Sequence, residues 1–436
     1  MNSTADAVVV GAGVIGSSIA LELSKAGRTV VVVDKAGSPG DGSTSASSAI
    51  VRFNYSTLAG VRAAWESRSC WEGWADHLGH RDPLGTASLR RIGMIHLDVP
   101  VMPRAPVLRL FDQVGIPYDE LDAEQLVERF PALDNGSYWP NKPVTDDAFW
   151  ADSTSTLGGF YTPDAGYVDD PRLAAQNLAA GARSRGAAFR FRAEVSAVQQ
   201  RRSGGWLVDL ADGDSIDTPV VVNAAGPWST RLNRLAGVGG DFTVEVRPMR
   251  QEVHEVTAPD GYNTDDERLG PAIADVDLGT YMRPGPHNTF LVGGTEPACD
   301  AFEWVDDPDG ASPRVTRDRF EAQVTRAARR LPALRVPTRP AGVAGVYDVA
   351  EDWTPIYDRT DAAGFYVAMA TSGNQFKNAP VVGRLMSTLI DRVESGDDHD
   401  TSPVTYVGEH TGQPIDLGTF SRKRPKNPAS TGTVMG

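Results

Sequence analysis

Three glycines and an aspartate near the start of the chain have the types and spacing needed to hold a dinucleotide. Gly11, Gly13 and Gly16 form a G-x-G-x-x-G pattern, and Asp34 follows 23 positions after Gly11. The first glycine allows a tight turn, the second lets a pyrophosphate approach the backbone, and the third lets a helix pack against a strand. Asp34 would accept hydrogen bonds from ribose hydroxyls, which disfavours a 2′-phosphate and therefore NADP. NAD and FAD share this pattern, so it leaves the choice between them open.

The surrounding residues predict the elements that such a turn requires. Residues 7–10 form an apolar strand, Ile15, Ile19 and Leu23 mark one face of a helix, and residues 29–33 form a β-branched strand. Strand, glycine turn, helix and strand make one βαβ unit, whose helix N-terminus offers N–H groups to a phosphate. A structural βαβ turn that binds no nucleotide is the alternative.

Composition limits the classes of partner. The 436 residues exceed one ordinary domain and predict two. The 42 basic and 57 acidic residues leave a net charge of −15, which repels phosphate backbones and anionic lipid, so no nucleic acid and no membrane is expected as a partner. No segment approaches the roughly 20 apolar residues of a membrane helix. The two cysteines, Cys70 and Cys299, give no disulfide framework, and a cytoplasmic protein is expected.

Two regions in the middle of the chain predict different kinds of structure. Asp170 is placed to cap a helix over residues 170–185, which fits an α/β arrangement. Residues 243–257 alternate with period two, and residues 280–294 predict a β-hairpin. The second region is therefore expected to be a more antiparallel sheet.

Helices are also predicted elsewhere, but not everywhere. Apolar and aromatic residues at 61–78 indicate a buried helix, one helix is expected to end at Pro332, and another has an apolar face over residues 382–393. The polar tail after Gly396 is expected to be partly ordered with a frayed end. Residues 79–150 give little indication of their structure.

Five segments, in this order along the chain, resemble the D-amino-acid oxidase family of FAD enzymes, and in particular its sarcosine oxidase and dimethylglycine dehydrogenase branches. They are the glycine turn with Asp34 and Lys35, the small-residue segment 42–49 (GSTSASSA), residues 166–171 (GYVDDP), residues 222–228 (VNAAGPW) and residues 372–380 (SGNQFKNAP). Residues 79–150 and 258–340 match only loosely. The resemblance implies FAD rather than NAD as the cofactor.

The resemblance also implies which residues contact the cofactor. They are Gly11, Gly13, Val14, Ile15, Gly16, Asp34, Lys35, Ser43, Thr44, Ser45, Ser47, Val195, Ala225, Gly226, Trp228, Gly345, Gly373, Asn374, Gln375, Phe376 and Lys377. The helix predicted to begin near Asn378 would point its positive end at the flavin and stabilise the negative charge that the flavin gains. A capped core helix without this role is the alternative.

Covalent attachment of the flavin is not expected. The dimethylglycine dehydrogenase branch has a histidine in the small-residue segment, where this chain has Ala46. The sarcosine oxidase branch has a cysteine just before a tyrosine late in the chain, whereas residues 344–347 here read AGVY. The resemblance therefore implies noncovalent FAD.

The resemblance places four residues at the substrate. Arg52 and Lys377 match the arginine and lysine that bind the substrate carboxylate in the sarcosine oxidase branch, and Tyr347 and Tyr281 are expected as pocket walls. An arginine fork grips a carboxylate with two bonds, and an ammonium adds a point charge. Two cations would also lower the pKa of a bound ammonium, which favours the neutral amine whose lone pair drives hydride loss, so no dedicated base is required. The alternatives are a surface salt bridge for Arg52 and a snorkelling helix cap for Lys377.

One departure from the family concerns the electron acceptor. The sarcosine oxidase branch has an oxygen-activating lysine on a strand that corresponds to residues 289–295, but this chain has no lysine between Lys142 and Lys377. Either oxygen is not the acceptor, or another cation such as Arg283 substitutes. Oxidase and dehydrogenase activity, with oxygen or an electron-transfer partner as acceptor, both stay open.

These observations predict an α/β fold with a Rossmann-like FAD-binding domain built from discontinuous segments and an α+β substrate domain with a largely antiparallel sheet. The expected segments are 1–85, 150–232 and 335–436 for the FAD-binding domain, and 86–149 and 233–334 for the substrate domain. The expected reaction oxidises the C–N bond of a small amine or amino acid that carries a carboxylate, by hydride transfer to flavin N5, and the imine product hydrolyses. The alternatives are a flavin-dependent monooxygenase, a flavoprotein subunit of an electron-transferring complex, and a nucleotide-binding protein without catalysis.

Overall fold

The computed structural model describes residues 2–435. Within this range the α-helices are α1 (Val14–Lys25), α2 (Leu58–Glu72), α3 (Trp74–Leu78), α4 (Arg104–Val114), α5 (Ala123–Arg129), α6 (Pro171–Arg183), α7 (Ser229–Ala236), α8 (Arg317–Arg330) and α9 (Ala379–Glu394). No helix in the described part of the chain is both long and apolar enough to cross a membrane.

The strands of the same range form several sheets. They are β1 (Asn2–Thr4), β2 (Ala7–Val10), β3 (Val30–Val33), β4 (Ile50–Val51), β5 (Leu89–Arg91), β6 (Met94–Leu97), β7 (Asp119–Leu121), β8 (Gly159–Thr162), β9 (Gly166–Val168), β10 (Ala188–Arg190), β11 (Val195–Gln200), β12 (Trp206–Leu210), β13 (Ser215–Thr218), β14 (Val220–Asn223), β15 (Val246–Thr257), β16 (Ala272–Asp275), β17 (Thr280–Pro284), β18 (Thr289–Gly294), β19 (Glu303–Trp304), β20 (Gly342–Ala350), β21 (Ile356–Arg359), β22 (Phe365–Met369), β23 (Thr405–Val407) and β24 (Pro414–Asp416).

A six-stranded sheet carries the predicted βαβ unit. Its strand order is β10-β3-β2-β14-β22-β21, and every pair is parallel except β21 with β22. The central strands are buried runs of Ala, Val and Asn, as expected when helices cover both faces of a parallel sheet. Helix α1 packs against both α6 and α9. The sheet therefore draws its strands from three separate parts of the chain, which is the predicted discontinuous construction.

A nine-stranded, largely antiparallel sheet forms the second layer. Its order is β19-β15-β18-β17-β16-β6-β8-β7, with β20 also paired to β15, and only the β6–β16 pair is parallel. The predicted hairpin is confirmed, since β17 and β18 pair from Thr280 with Gly294 to Pro284 with Phe290. The predicted fold class is thus confirmed. The domain boundaries stay a prediction, because β8 and β20 belong to this sheet but lie in segments assigned to the other domain.

Local signals explain where two of the helices begin and end. The Asp170 side chain accepts a hydrogen bond from the Leu173 N–H at 2.8 Å, and Pro171 occupies the first turn, so the predicted cap of α6 is confirmed. The prediction of one continuous helix over residues 61–78 is wrong. The structure has two helices, α2 and α3, separated at Gly73, because glycine is a poor residue for a helix interior.

The tail differs from the expectation of a frayed end. Arg422 forms ion pairs with Asp358 at 3.1 Å and Asp400 at 2.8 Å, and these tie the tail to β21. Beyond it, Val434 is 7% exposed and Met435 is 3% exposed. The end of the described chain is therefore buried, and the expected fraying through residue 435 is wrong. Polarity misled the prediction, because buried arginines and their carboxylate partners can fix a segment as well as apolar contacts can.

Candidate active site

The glycine turn after β2 can be built only from residues without a side chain. Gly11 has φ +109°, and a Cβ atom there would lie 2.3 Å from the Ala224 carbonyl oxygen. A Cβ on Gly16 would lie 1.9 Å from the Gly11 carbonyl oxygen. Strand β14 and helix α1 therefore approach the turn so closely that larger residues would push them apart.

The turn presents the start of α1 to a cavity. Gly13 is the residue before the helix, and the Val14 N–H donates to the Thr44 hydroxyl at 3.1 Å. This bond joins the small-residue segment 42–49 to the helix N-terminus. The first turn of α1 then offers its positive end to an anion in the cavity, as a pyrophosphate requires.

Asp34 has a second role that the sequence did not reveal. One carboxylate oxygen accepts the Ala12 N–H at 2.6 Å, and the other accepts the Ala36 N–H at 2.8 Å. The side chain thus holds the glycine turn as well as lining the cavity. Each oxygen keeps further acceptor capacity, so contact with ribose hydroxyls stays a prediction compatible with this geometry.

The cavity has a volume of about 760 Å³ and extends along the turn to the start of α9. Of the residues expected to contact the cofactor, those that line it are Gly11, Gly13, Val14, Ile15, Asp34, Lys35, Ser43, Thr44, Ser47, Val195, Ala225, Gly226, Trp228, Gly373, Gln375 and Phe376. Its length, its small-residue walls and the helix N-terminus fit an FAD molecule. No histidine or cysteine is among the described residues that line it, so noncovalent binding stays the prediction.

The remaining expected cofactor residues lie outside this lining. Gly16 packs helix α1 on its strand, and the Ser45 hydroxyl donates to the Gly42 carbonyl at 2.9 Å on the exposed side of its segment. Gly345 lies against Ala46, where a Cβ would approach the Ala46 Cβ to 2.8 Å. Asn374 and Lys377 line a second, adjoining cavity.

The second cavity, of about 50 Å³, brings together all four residues expected at the substrate. Arg52, Lys377, Tyr347 and Tyr281 line it, and it shares Ser47, Ser48, Tyr347, Gly373 and Phe376 with the larger cavity. These residues come from four distant parts of the chain. A substrate held here would therefore meet the end of the cofactor cavity that is formed by residues 373–376.

Arg52 is 5% exposed, so the alternative of a surface salt bridge is wrong. Its guanidinium donates to the Asn54 carbonyl at 2.6 Å and the Asn54 side-chain oxygen at 3.1 Å. It also donates to the main-chain carbonyls of Val434 at 2.5 Å and Met435 at 3.0 Å. Among residues 2–435, every hydrogen-bond acceptor of Arg52 is a neutral oxygen, and Glu296 acts on it only through space, so this buried cation has no hydrogen-bonded anion and can bind one from a ligand.

Lys377 is 3% exposed, which rules out a snorkelling helix cap. Its ammonium donates to the Asn374 carbonyl at 2.6 Å and lies 4.7 Å from the centre of the Tyr55 ring. Burial, and then the charge of Arg52, hold the pKa of Lys377 well below its usual range. A carboxylate bound between the two cations would raise that pKa again and restore the charge on Lys377.

The two expected wall tyrosines are proton donors rather than phenolates. Burial raises the pKa of Tyr347 and of Tyr281, so both keep their hydroxyl protons. The Tyr281 and Ser48 hydroxyls lie 3.0 Å apart. Gly373 has φ +68°, and a Cβ there would lie 2.3 Å from the Tyr347 ring, so a glycine is required for this contact.

Several site residues were missed by the sequence analysis. The Tyr55 hydroxyl donates to the Asn374 carbonyl at 2.6 Å, and His96 lies 3.1 Å from the Asn54 oxygen that Arg52 also binds. Glu296 accepts the Val434 N–H at 2.7 Å, and burial raises its pKa to about 8. Each is an ordinary polar residue with no distinctive neighbours in sequence, so only the tertiary structure reveals it.

Two further expectations concern cations and metals. Arg283, considered as a substitute for the missing lysine, lies 3.9 Å from the centre of the Tyr167 ring and is not among the described residues lining either cavity. No group of residues in the described range 2–435 has the composition to hold a metal ion.

The parallel sheet with its glycine turn, the cavity beneath an antiparallel sheet and the adjoining polar pocket define an FAD-dependent oxidoreductase fold. Residues 6–389 match the family model for the FAD-dependent oxidoreductases called DAO, and the chain belongs to that family. The predicted resemblance and the predicted FAD cofactor are thereby confirmed.

Several relatives are similar over most of the chain. Glycine oxidase of Geobacillus kaustophilus is 26% identical over 400 residues, which are 90% of this chain and 94% of that protein. The crystal structure of L-proline dehydrogenase from P. horikoshii has a TM-score of 0.75 at 20% identity and covers 97% of this chain and 98% of its own. Human mitochondrial dimethylglycine dehydrogenase is 25% identical over 237 residues, or 54% of this chain and 24% of that protein. The protein is therefore an enzyme of a family whose members include amino-acid oxidases and dehydrogenases.

Proposed function

We propose that the protein oxidises the C–N bond of a small amine that carries a carboxylate, such as an N-methyl, cyclic or other amino acid. The observation that carries this proposal is the buried Arg52 guanidinium, whose acceptors are neutral, beside Lys377 in a pocket that adjoins the cofactor cavity. A buried cation without an anionic partner is costly, and a substrate carboxylate would supply that partner. Glycine and proline, named in two relatives, both combine a carboxylate with an amine.

Each residue of the pocket has a part in this reaction. Arg52 binds and orients the carboxylate with two parallel hydrogen bonds, and Lys377 adds a third donor. The two cations lower the pKa of the bound ammonium and favour the neutral amine. Tyr347 and Tyr281 form the walls that position the carbon to be oxidised. FAD held by the glycine turn and the other residues of the larger cavity would supply the hydride acceptor, and water would hydrolyse the resulting imine.

The test is an anaerobic reduction of the purified yellow protein. The holoenzyme is mixed with a panel of N-methyl and cyclic amino acids, and bleaching of the flavin absorbance is followed. Hydrogen bonds to charged groups contribute about 1.5–3 kcal/mol each, so Arg52→Ala should raise the apparent Kd of the active amine at least about 100-fold. Admitting air then measures the rate of reoxidation, which separates an oxidase from a dehydrogenase.

The matched control is Arg335→Ala, because the Arg335 side chain is 89% exposed and pairs only with the exposed Asp260. It should leave the Kd of the amine within twofold. Reduction by NAD(P)H alone, with no bleaching by any amine, would contradict the proposal and favour a monooxygenase. Copurification with a second protein that accepts the electrons would favour a subunit of an electron-transferring complex.

A further inference from the structure

The end of the described chain is bound to Arg52 at the pocket proposed for the substrate carboxylate. Val434 and Met435 line the smaller cavity beside Arg52 and Lys377. Both residues are buried, although residues 425–432 before them are all exposed or half-buried. The groups that hold this segment therefore show what kind of ligand the pocket accepts.

Val434 is hydrogen-bonded through both its main-chain N–H and its main-chain carbonyl. Its N–H donates to a Glu296 carboxylate oxygen at 2.7 Å, and its carbonyl accepts from Arg52 at 2.5 Å. The second guanidinium nitrogen of Arg52 donates to the Met435 carbonyl at 3.0 Å. An α-amino acid has the same sequence of atoms: nitrogen, α-carbon, carboxyl carbon and oxygen. The Val434 nitrogen thus stands in for an amine, and the two carbonyl oxygens stand in for a carboxylate.

We propose that Glu296 is a substrate-binding residue that accepts an N–H of the substrate amine, while Arg52 binds the carboxylate of the same molecule. This inference rests on the proposed amine oxidation. It adds that the substrate takes the place of Val434, so the tail must leave the pocket before substrate binds. It also restricts the substrate class to amines with at least one N–H close to the carboxylate, as in an α-amino acid.

The surroundings of Glu296 do not explain the residue as a structural one. Among the described residues, both hydrogen-bond donors to its carboxylate are uncharged amides, Val434 N–H and the Gln251 side chain at 3.0 Å. Glu296 also has φ +50°, a backbone conformation that costs free energy in a residue with a side chain. A buried acid in a strained backbone, which forms no ion pair with any of the described residues, is more consistent with binding a ligand than with stabilising the fold.

A substrate ammonium would form a direct ion pair with Glu296. The charged and titratable groups that face Glu296 are Arg52, Arg319, Tyr281 and Tyr347, and Arg319 itself pairs with Asp300 at 3.6 Å. An ammonium beside Glu296 favours the ionised carboxylate. Transfer of one proton from the nitrogen to Glu296 then leaves a neutral amine with its lone pair and a neutral carboxylic acid. This is the form of the amine from which a hydride can leave.

The test compares two ligands that differ only at the nitrogen, using the holoenzyme and Glu296→Gln. One ligand is the best reductant of the amino-acid panel, and the other is its carbon isostere: cyclopentanecarboxylate for proline or propionate for glycine. The Kd of the amino acid comes from the concentration dependence of anaerobic bleaching, and that of the isostere from its perturbation of the flavin spectrum. Glu296→Gln should raise the Kd of the amino acid at least tenfold and that of the isostere less than twofold.

The variant is suited to this test because the amide of Gln251 can rotate and donate or accept as required, so a glutamine at 296 keeps both hydrogen bonds. Glu255→Gln is the control, since Glu255 is exposed on β15 and should change neither Kd. If Glu296→Gln yields no yellow protein, Glu296→Asp replaces it, with an expected increase of at least threefold for the amino acid alone.

Three outcomes would overturn the inference. Equal weakening of both ligands would mean that Glu296 only supports the pocket, and no weakening of either would mean that it does not contact the substrate. In both cases amine oxidation itself stands, because the wild-type flavin still bleaches. Failure of every amine to bleach the wild-type flavin would instead remove the proposed function and, with it, this inference.

Discussion

The dinucleotide cavity and the proposed substrate pocket share a wall, yet they are built in opposite ways. The cavity depends on main-chain groups and on positions without a side chain, such as Gly11 and Gly16. One end of its lining comes from a single βαβ unit. The pocket depends on buried charged side chains from separate parts of the chain: Arg52 and Lys377 line it, and Glu296 binds the Val434 N–H behind them. A backbone site has a recognisable sequence pattern, whereas a side-chain site is assembled only when the chain folds.

The largest expected effect comes from adding one methyl group to the backbone site. In Gly11→Ala the new Cβ would lie 2.3 Å from the Ala224 carbonyl oxygen, and main-chain atoms directly after β14 cannot move aside cheaply. We expect the variant to purify without yellow colour and to bind FAD at least 100-fold more weakly in a fluorescence titration.

Gly27→Ala is the matched control for this substitution. Gly27 also has a positive φ, +82°, but a Cβ there would meet no atom within 4 Å. It should therefore cost only the conformational strain of about 1–2 kcal/mol and leave FAD affinity unchanged. Equal loss of FAD from both variants would show that backbone strain, rather than a clash with the residues after β14, explains the weaker binding of FAD. The dinucleotide cavity would then not depend on the close approach at Gly11.

The second expected effect is on the side-chain site and has the opposite sign. Ending the chain after Ser430 removes the Val434 and Met435 carbonyls that compete for Arg52. The Kd of cyclopentanecarboxylate or propionate should then fall about 3- to 10-fold, the size expected for the net loss of one or two competing hydrogen bonds. The flavin spectrum without ligand, measured in the same titration, should show that FAD binding is unchanged.

A second variant separates the Glu296 contact from the rest of the tail. Val434→Pro removes the N–H that Glu296 accepts and leaves the length of the chain unchanged. It should lower the same Kd by less than the truncation does. Weaker ligand binding after truncation would mean that the tail forms a wall of the pocket instead of competing with the substrate.

The same contrast explains what the sequence could predict. The βαβ unit, the cap at Asp170 and the hairpin of β17 and β18 follow from local patterns, and the structure confirms them. Arg52 and Lys377 were identified only through the family resemblance, and the structure places them in one pocket. Glu296 and Val434 could not be found, because their roles depend on a contact between residues 138 positions apart. No local pattern distinguishes a glutamate that will be buried in such a contact from one on the surface.

The last expected effect is on stability rather than on ligand binding, and it tests whether the buried acid of the pocket is neutral before substrate binds. Burial raises the pKa of Glu296 from 4.5 to about 8. Between those values the folded protein holds a proton that the unfolded chain has released, so this group's contribution to stability is complete below about pH 4.5 and is lost as the pH rises toward 8. Glu296→Gln has no such dependence. Relative to the variant, the wild type should therefore lose up to about 1.4 kcal/mol of unfolding free energy per pH unit.

Urea unfolding of both holoproteins between pH 5.5 and 7.5 measures this difference, and groups common to both cancel. Parallel stability curves would mean that Glu296 is already ionised when the tail occupies the pocket. The pocket would then hold an ionised Glu296 near the Arg52 cation before any ligand binds, whereas a diverging pair of curves means that Glu296 acquires its charge only when an ammonium arrives. In the second case the binding of the substrate produces the ionised form of Glu296. The glycine turn of the dinucleotide cavity is built from main-chain groups and cannot change its charge when its ligand binds.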